Sequence, residues 1–222
     1  MNFFNFEFVN NTIHIQEYPE ADKVLKIPDD YNVKRLKDML LHWYDLKEAK
    51  SCLEALDDEN SDVVNKALVQ NAIILFYKCF GNSEFRDNSL KKDKVLAGLP
   101  LGAKNVFDYY KVIRDKFIAH DESRYAQVIS GIILETSKFF PFVDTVQMVG
   151  VVDIFKTEKQ KQSLEVFYRL IIETIAWTEK TIDQLRDMIA EIYQKQQLSY
   201  FKDFEPLTFN TPTEESMFKK RY

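Results

Sequence analysis

Arg114, Asp115 and His120 are the residues of this chain whose types and spacing can do chemistry, and they lie in the stretch Ile113-Arg114-Asp115-Lys116-Phe117-Ile118-Ala119-His120-Asp121. An imidazole titrates near neutral pH and can take or give a proton, while a guanidinium can hold two phosphate oxygens through its planar fork. The pair suits RNA cleavage, in which a 2′-hydroxyl loses its proton while charge builds on the phosphorus oxygens, and such a step requires no metal. His120 reads as the general base or acid and Arg114 as the phosphate clamp. On a regular helix with Ile113 at zero and about 100° per residue, Phe117 falls near 40°, Tyr110 near 60°, Arg114 near 100° and His120 near −20°. Arg114 and His120 therefore flank an apolar stripe, where each needs a carboxylate, a carbonyl or an opening. Asp115 falls at about 200°, away from both. A purely structural reading stands beside this one: an arginine paired with a carboxylate on a neighbouring helix, and a histidine at a helix C-terminus, where the dipole favours it.

The element that carries these residues is a helix from near Ala103 to His120 or Asp121, with Val106, Tyr110, Ile113 and Phe117 along one stripe. Two helices precede it. Residues 33–56 place Val33, Leu36, Leu40, Trp43, Tyr44, Ala49, Leu53 and Leu56 at helical spacing. The second helix starts at the capping cluster Asn60-Ser61-Asp62 and runs to the Gly81 stop, with Ala72 to Phe76 as its buried centre. Gly81 to Gly102 is a polar, basic loop with room for one short helix. Residues 157–197 carry Leu164, Phe167, Tyr168, Ile171, Ile175, Ile182, Leu185, Met188, Ile189 and Ile192 on an apolar face. As one helix this stretch measures about 60 Å, longer than a single small bundle needs, which implies a break or a dimer partner. Period-two alternation predicts a hairpin at residues 3–18, turning at Asn10-Asn11, and Val/Ile-rich stretches at 125–134 and 143–155 predict a second. The fold class is mainly α: an antiparallel helical bundle with two small β-hairpin additions. Its parts are an N-terminal hairpin and linker (1–28), a helical domain (29–197) with a hairpin insertion near 125–155, and a C-terminal arm (198–222) ending near Lys219-Lys220-Arg221.

The phrase RDKFIAHDE, an arginine followed at once by an acidic residue and six positions later by a histidine, resembles the Arg-x(4 to 6)-His motif of HEPN-domain proteins. It looks closest to the AbiU-like branch, associated with phage abortive infection. The resemblance covers roughly Val33 to His120 and extends to the last helix. It implies a bundle of four or five helices that dimerises and brings two copies of the motif into one cleft. Active members are metal-independent endoribonucleases that use no cofactor, and other members are inactive binding modules. The implied catalytic set is Arg114, Asp115 and His120, with Asp115 orienting Arg114 or His120. That role requires the helix to bend or a partner chain to intervene. A toxin system with an antitoxin or other protein partner follows from the same resemblance. A structural helical interaction protein, assembling through the last helix and the tail alone, is the reading from a different class.

With 222 residues and 45 % hydrophobic content, the chain can bury a sizeable core. Five glycines and six prolines leave little material for a turn-rich barrel or a phosphate-cradling loop. A net charge of −5 excludes a uniformly basic nucleic-acid coat. Charge is unevenly placed, however. Between Glu84 and His120 eight basic residues face five acidic ones, so this segment is +3 and the remainder −8. Lys111 and Lys116 within it suit a phosphate-binding rim for RNA, and Tyr109 and Tyr110 suit base stacking or, equally, core packing. Cys52 and Cys79 form no CxxC pair and read as buried thiols of a cytoplasmic protein, and no window is apolar enough to span a membrane. His14 and His42 read as surface or packing residues, and no His/Asp/Glu spacing marks a metal site.

Overall fold

A computed structural model of the chain describes residues 6–9, 12–16, 24–82, 86–100, 102–118, 127–135, 142–151 and 158–207. The architecture is mainly helical. In chain order the elements are strands β1 (Phe6–Val9) and β2 (Thr12–Ile15), helices α1 (Tyr31–Glu54), α2 (Asp62–Lys78), α3 (Lys92–Leu96) and α4 (Gly102–Ile113), a π-helical turn at Arg114–Ile118, strands β3 (Gln127–Glu135) and β4 (Phe142–Val151), and helix α5 (Glu158–Gln194), followed by a 3₁₀ turn at Leu198–Phe201. The strands form two separate antiparallel pairs. Phe6 sits opposite Ile15 in the first and Gln127 opposite Val151 in the second, with a register shift at Ile133/Leu134.

Helix starts follow capping chemistry. Asp30 Oδ1 accepts from the Val33 amide at 2.8 Å, and the Ser61 hydroxyl accepts from the Val64 amide at 3.4 Å. Each satisfies a donor that the first helical turn leaves without a partner. Helix α5 is one continuous element of 37 residues, roughly 55 Å long at 1.5 Å per residue, so the break allowed for in residues 157–197 does not occur. Its apolar stripe is interrupted at Thr174, Thr178 and Thr181, all buried. Thr174 and Thr181 donate their hydroxyls to the carbonyls of Leu170 and Trp177 at 2.7 and 2.9 Å, which lets a polar side chain sit in the core without losing a hydrogen bond.

The chain divides into two compact units, and α1 and α5 each contribute to both. The first takes its described residues from 1–44, 82–89 and 176–222. Here Trp43 Nε1 donates to Glu179 at 2.8 Å, tying α1 to α5. The segment after α5 pairs with the segment before α1, Leu207 N donating to Val24 O at 2.7 Å and Lys26 N to Glu205 O at 2.8 Å. The tail beyond residue 207, including Lys219-Lys220-Arg221, lies outside the described residues.

The second unit draws on 45–81 and 90–175. Its core is aromatic. Phe76, Tyr77 and Phe80 from α2 and the end of its last turn, Phe107 and Tyr110 from α4 and Phe167 from α5 meet with ring centroids 4.2–6.5 Å apart. Edge-to-face and offset pairs of this kind stabilise beyond their buried area, by about 0.5–1.5 kcal/mol each. Within the expected buried centre of α2, Ala72, Ile73, Leu75 and Phe76 are buried, while Ile74 faces out.

Candidate functional site

Helix α4 runs on into the π-helical turn at Arg114–Ile118, and α2 packs against that turn. A π-turn closes i to i+5 instead of i to i+4, so residues inside it leave the azimuths of a regular helix. Such turns are frequent at functional sites. Asp115, which a regular helix would aim away from Arg114, here accepts from Arg114 Nε at 2.6 Å, and Arg114 Nη2 reaches the same Oδ1. The widened turn supplies the departure from regular geometry that an orienting role for Asp115 requires, within one chain.

The other carboxylate oxygen is also held: Lys111 Nζ, one turn earlier, donates to Asp115 Oδ2 at 3.2 Å. Burial alone would raise the Asp115 pKa, but its hydrogen bonds and charge contacts with Arg114 and Lys111 outweigh that and hold it below the ordinary carboxylate range. Asp115 is therefore an anion at neutral pH and cannot donate a proton there. Its work is to hold a cation. The Arg114 and Asp115 side chains are 35 % and 33 % exposed, which leaves the pair within reach of a ligand.

Arg114 is gripped along one edge of its guanidinium. Nε and Nη2 form the side edge, taken by Asp115. The end edge, Nη1 with the second hydrogen of Nη2, makes no hydrogen bond among the described residues. Beneath the group lies Tyr77, its ring centroid 5.9 Å from Arg114 Cζ. Tyr77 is buried, its hydroxyl donates to the Phe107 carbonyl, and burial pushes its pKa well above the usual phenol range.

The predicted site residues separate into three groups. Arg114, Asp115 and Lys111 come together as one ion-paired cluster, with Lys116 exposed on the same turn. Tyr110 does not join them. It is 2 % exposed and stacks on Phe167 at 4.2 Å, and its pKa is pushed up to about 12 by burial, with a Ser163 hydrogen bond pulling the other way. Tyr110 is thus a core residue and not a base platform, because its ring is already enclosed. Tyr109 is 36 % exposed, with its ring edge-on to Tyr110. His120 lies outside the described residues, as does Asp121.

Two cations of the basic stretch between Glu84 and His120 have partners within their own units. Arg86 belongs to the first unit, where its Nη1 meets His42 Nδ1 at 3.0 Å, and Lys92 is ion-paired with Asp108 and lies 5.0 Å over the Phe107 ring. Sequence reasoning missed Tyr77. No spacing signal marks it, because it stands 37 residues before Arg114 and falls outside the apolar positions that define the α2 stripe. Among the described residues no group of three or more His, Cys, Asp or Glu is placed to hold a metal ion, and no helix is long and apolar enough to cross a membrane. The chain matches no protein-family model, no curated protein and no solved structure.

Proposed function

We propose that the protein is a HEPN-like, metal-independent endoribonuclease that acts as a homodimer in phage defence or a toxin system. The observation that carries this reading is the Arg114–Asp115 pair. It is a guanidinium about one-third exposed, oriented by its neighbour on a π-turn, six positions before His120, with its end edge unclaimed among the described residues. In the proposed reaction His120 takes the proton of a ribose 2′-hydroxyl and that oxygen attacks the adjacent phosphorus. The bond to the 5′-oxygen breaks and that oxygen takes a proton from water, while protonated His120 returns its proton to solvent, giving a 2′,3′-cyclic phosphate and a 5′-hydroxyl. Arg114 neutralises charge on the non-bridging oxygens. Lys111 and Lys116 add positive charge beside the phosphate backbone, and the partly exposed Tyr109 is the aromatic residue of this helix assigned to base stacking.

A second reading, a catalytically inactive module of the same fold that binds RNA, a nucleotide or a protein, is favoured by one observation. Lys111 and Arg114 are both already paired with Asp115, as in a structural ion pair. Incubating the purified protein with total RNA in the presence of a chelator, beside His120→Ala, separates the two. The nuclease reading expects cleavage that His120→Ala reduces by about 100-fold or more. Binding without cleavage at any pH between 6 and 9 would leave the module reading.

A further inference from the structure

The Arg114 guanidinium is constrained in two independent ways. Asp115 holds its side edge, which sets rotation within the guanidinium plane but leaves the plane free to swing about the ion pair. The Tyr77 ring, 5.9 Å from Arg114 Cζ, supplies the missing constraint, because a cation over an aromatic face has a preferred side. Tyr77 can serve as a fixed reference because it is itself immobilised. It is buried, its hydroxyl is bonded to the Phe107 carbonyl, and its ring packs edge-on to Phe76 and Phe107 at 5.0 and 5.1 Å. All of these residues belong to the second unit.

We propose that Tyr77 is a positioning residue for Arg114: its ring fixes the plane of the guanidinium so that the end edge, Nη1 and Nη2, is presented to two oxygens of a phosphodiester. The inference rests on the reading of Arg114 as the phosphate clamp. It adds a residue from α2 that the Arg-to-His motif does not contain. Asp115 and Tyr77 then divide the work, the carboxylate setting direction and the ring setting the plane. A long side chain that is one-third exposed loses rotamer freedom before the ligand arrives, which lowers the cost of binding.

The test compares wild type, Tyr77→Phe and Tyr77→Leu. Phe keeps the ring and loses only the hydroxyl bond to Phe107, whereas Leu keeps an apolar side chain and loses the aromatic face. The first readout is the NMR order of the Arg114 Nε–Hε group, assigned by its disappearance in Arg114→Lys and referenced to the exposed Arg169. The inference expects Arg114 to be rigid in wild type and Tyr77→Phe and mobile in Tyr77→Leu. Arg114 as mobile as Arg169 in the wild type overturns it without any variant needing to fold. The second readout is RNA cleavage at equal folded concentration, where KM for Tyr77→Leu is expected to rise about two- to fivefold and Tyr77→Phe to stay at wild type. Unchanged KM and kcat in Tyr77→Leu, with active wild type, overturns the inference and leaves the nuclease reading standing. A rigid Arg114 that loosens in Tyr77→Leu, with a wild type that cleaves no RNA, supports the positioning and removes the nuclease.

Discussion

Arg86 in the first unit and Arg114 in the second each sit in a polar cluster, the first in contact with His42 and the second ion-paired with Asp115, and their surroundings differ. Arg86 Nη1 meets Nδ1 of His42, a ring only 1 % exposed, whose Nε2 lies 2.8 Å from the Asn88 carbonyl. A guanidinium has donors and no acceptor, so in this contact Nδ1 is placed as the acceptor and Nε2 as the donor to the Asn88 carbonyl. Buried Asp38 completes the arrangement, accepting from the Asn88 backbone amide at 2.9 Å and from its side-chain amide at 2.8 Å. The network holds the connector at residues 86–89 to α1, and its groups face one another. Arg114, by contrast, is held by Asp115 along one edge and lies over the Tyr77 ring, and its end edge makes no hydrogen bond among the described residues. Both arginines are partly exposed, so burial of the arginine itself does not separate them: Arg86 meets a buried histidine ring, whereas Arg114 is held by a carboxylate that is itself one-third exposed.

The largest expected effect concerns the aromatic floor of the second unit. Tyr110→Ala should lower unfolding free energy by about 3–5 kcal/mol, the cost of emptying a buried aromatic site, while Tyr109→Ala should change it by less than about 1 kcal/mol. Urea denaturation of both variants checks this, and equal effects would break the distinction between the two adjacent tyrosines. Next comes the first-unit network. Asp38→Ala leaves two Asn88 donors without their acceptor and should cost about 2–3 kcal/mol, with no change in RNA cleavage per folded molecule. A cleavage defect at matched folded concentration would show that the two regions are not separate in function.

The smallest effect is the acid response of Asp115. Its folded pKa is depressed, so the ion pair contributes stability that is fully present above the ordinary carboxylate value of about 3.9 and is lost as pH falls through the lower folded value. One-third exposure keeps the amount below about 1 kcal/mol. Asp115→Asn should therefore flatten the stability curve slightly below pH 4 and leave it parallel to wild type at neutral pH. A variant curve that converges only above neutral pH would show that another group dominates.

Much of the helical frame was legible from local signals. Ser61 and the polar residues around it marked the start of α2, and the stripe from Phe167 to Ile189 marked α5. What escaped had long-range or non-ideal causes. The length of residues 157–197 as a single helix implies a break or a dimer partner, and no hydropathy pattern displays the bonds from the buried Thr174 and Thr181 hydroxyls to carbonyls one turn back, which accommodate polar side chains along the buried face of the continuous helix. Asp115 fell on the wrong side of a wheel drawn at a constant angle per residue, since that construction has no place for a π-turn. Tyr109 and Tyr110 are chemically identical neighbours, and only the ring of Phe167 against one of them tells them apart. His42 read as a surface or packing residue. The network that holds its ring reaches 44 and 46 residues along the chain, beyond any local pattern.

The measurement that bears most directly on the proposed function is the ratio of RNA-cleavage rates for Arg86→Ala and Arg114→Ala, each at equal folded concentration and without added metal. The account predicts that Arg86→Ala keeps the wild-type rate to within about threefold, whereas Arg114→Ala loses about 100-fold or more. Equal losses, or a loss confined to Arg86→Ala, would contradict it.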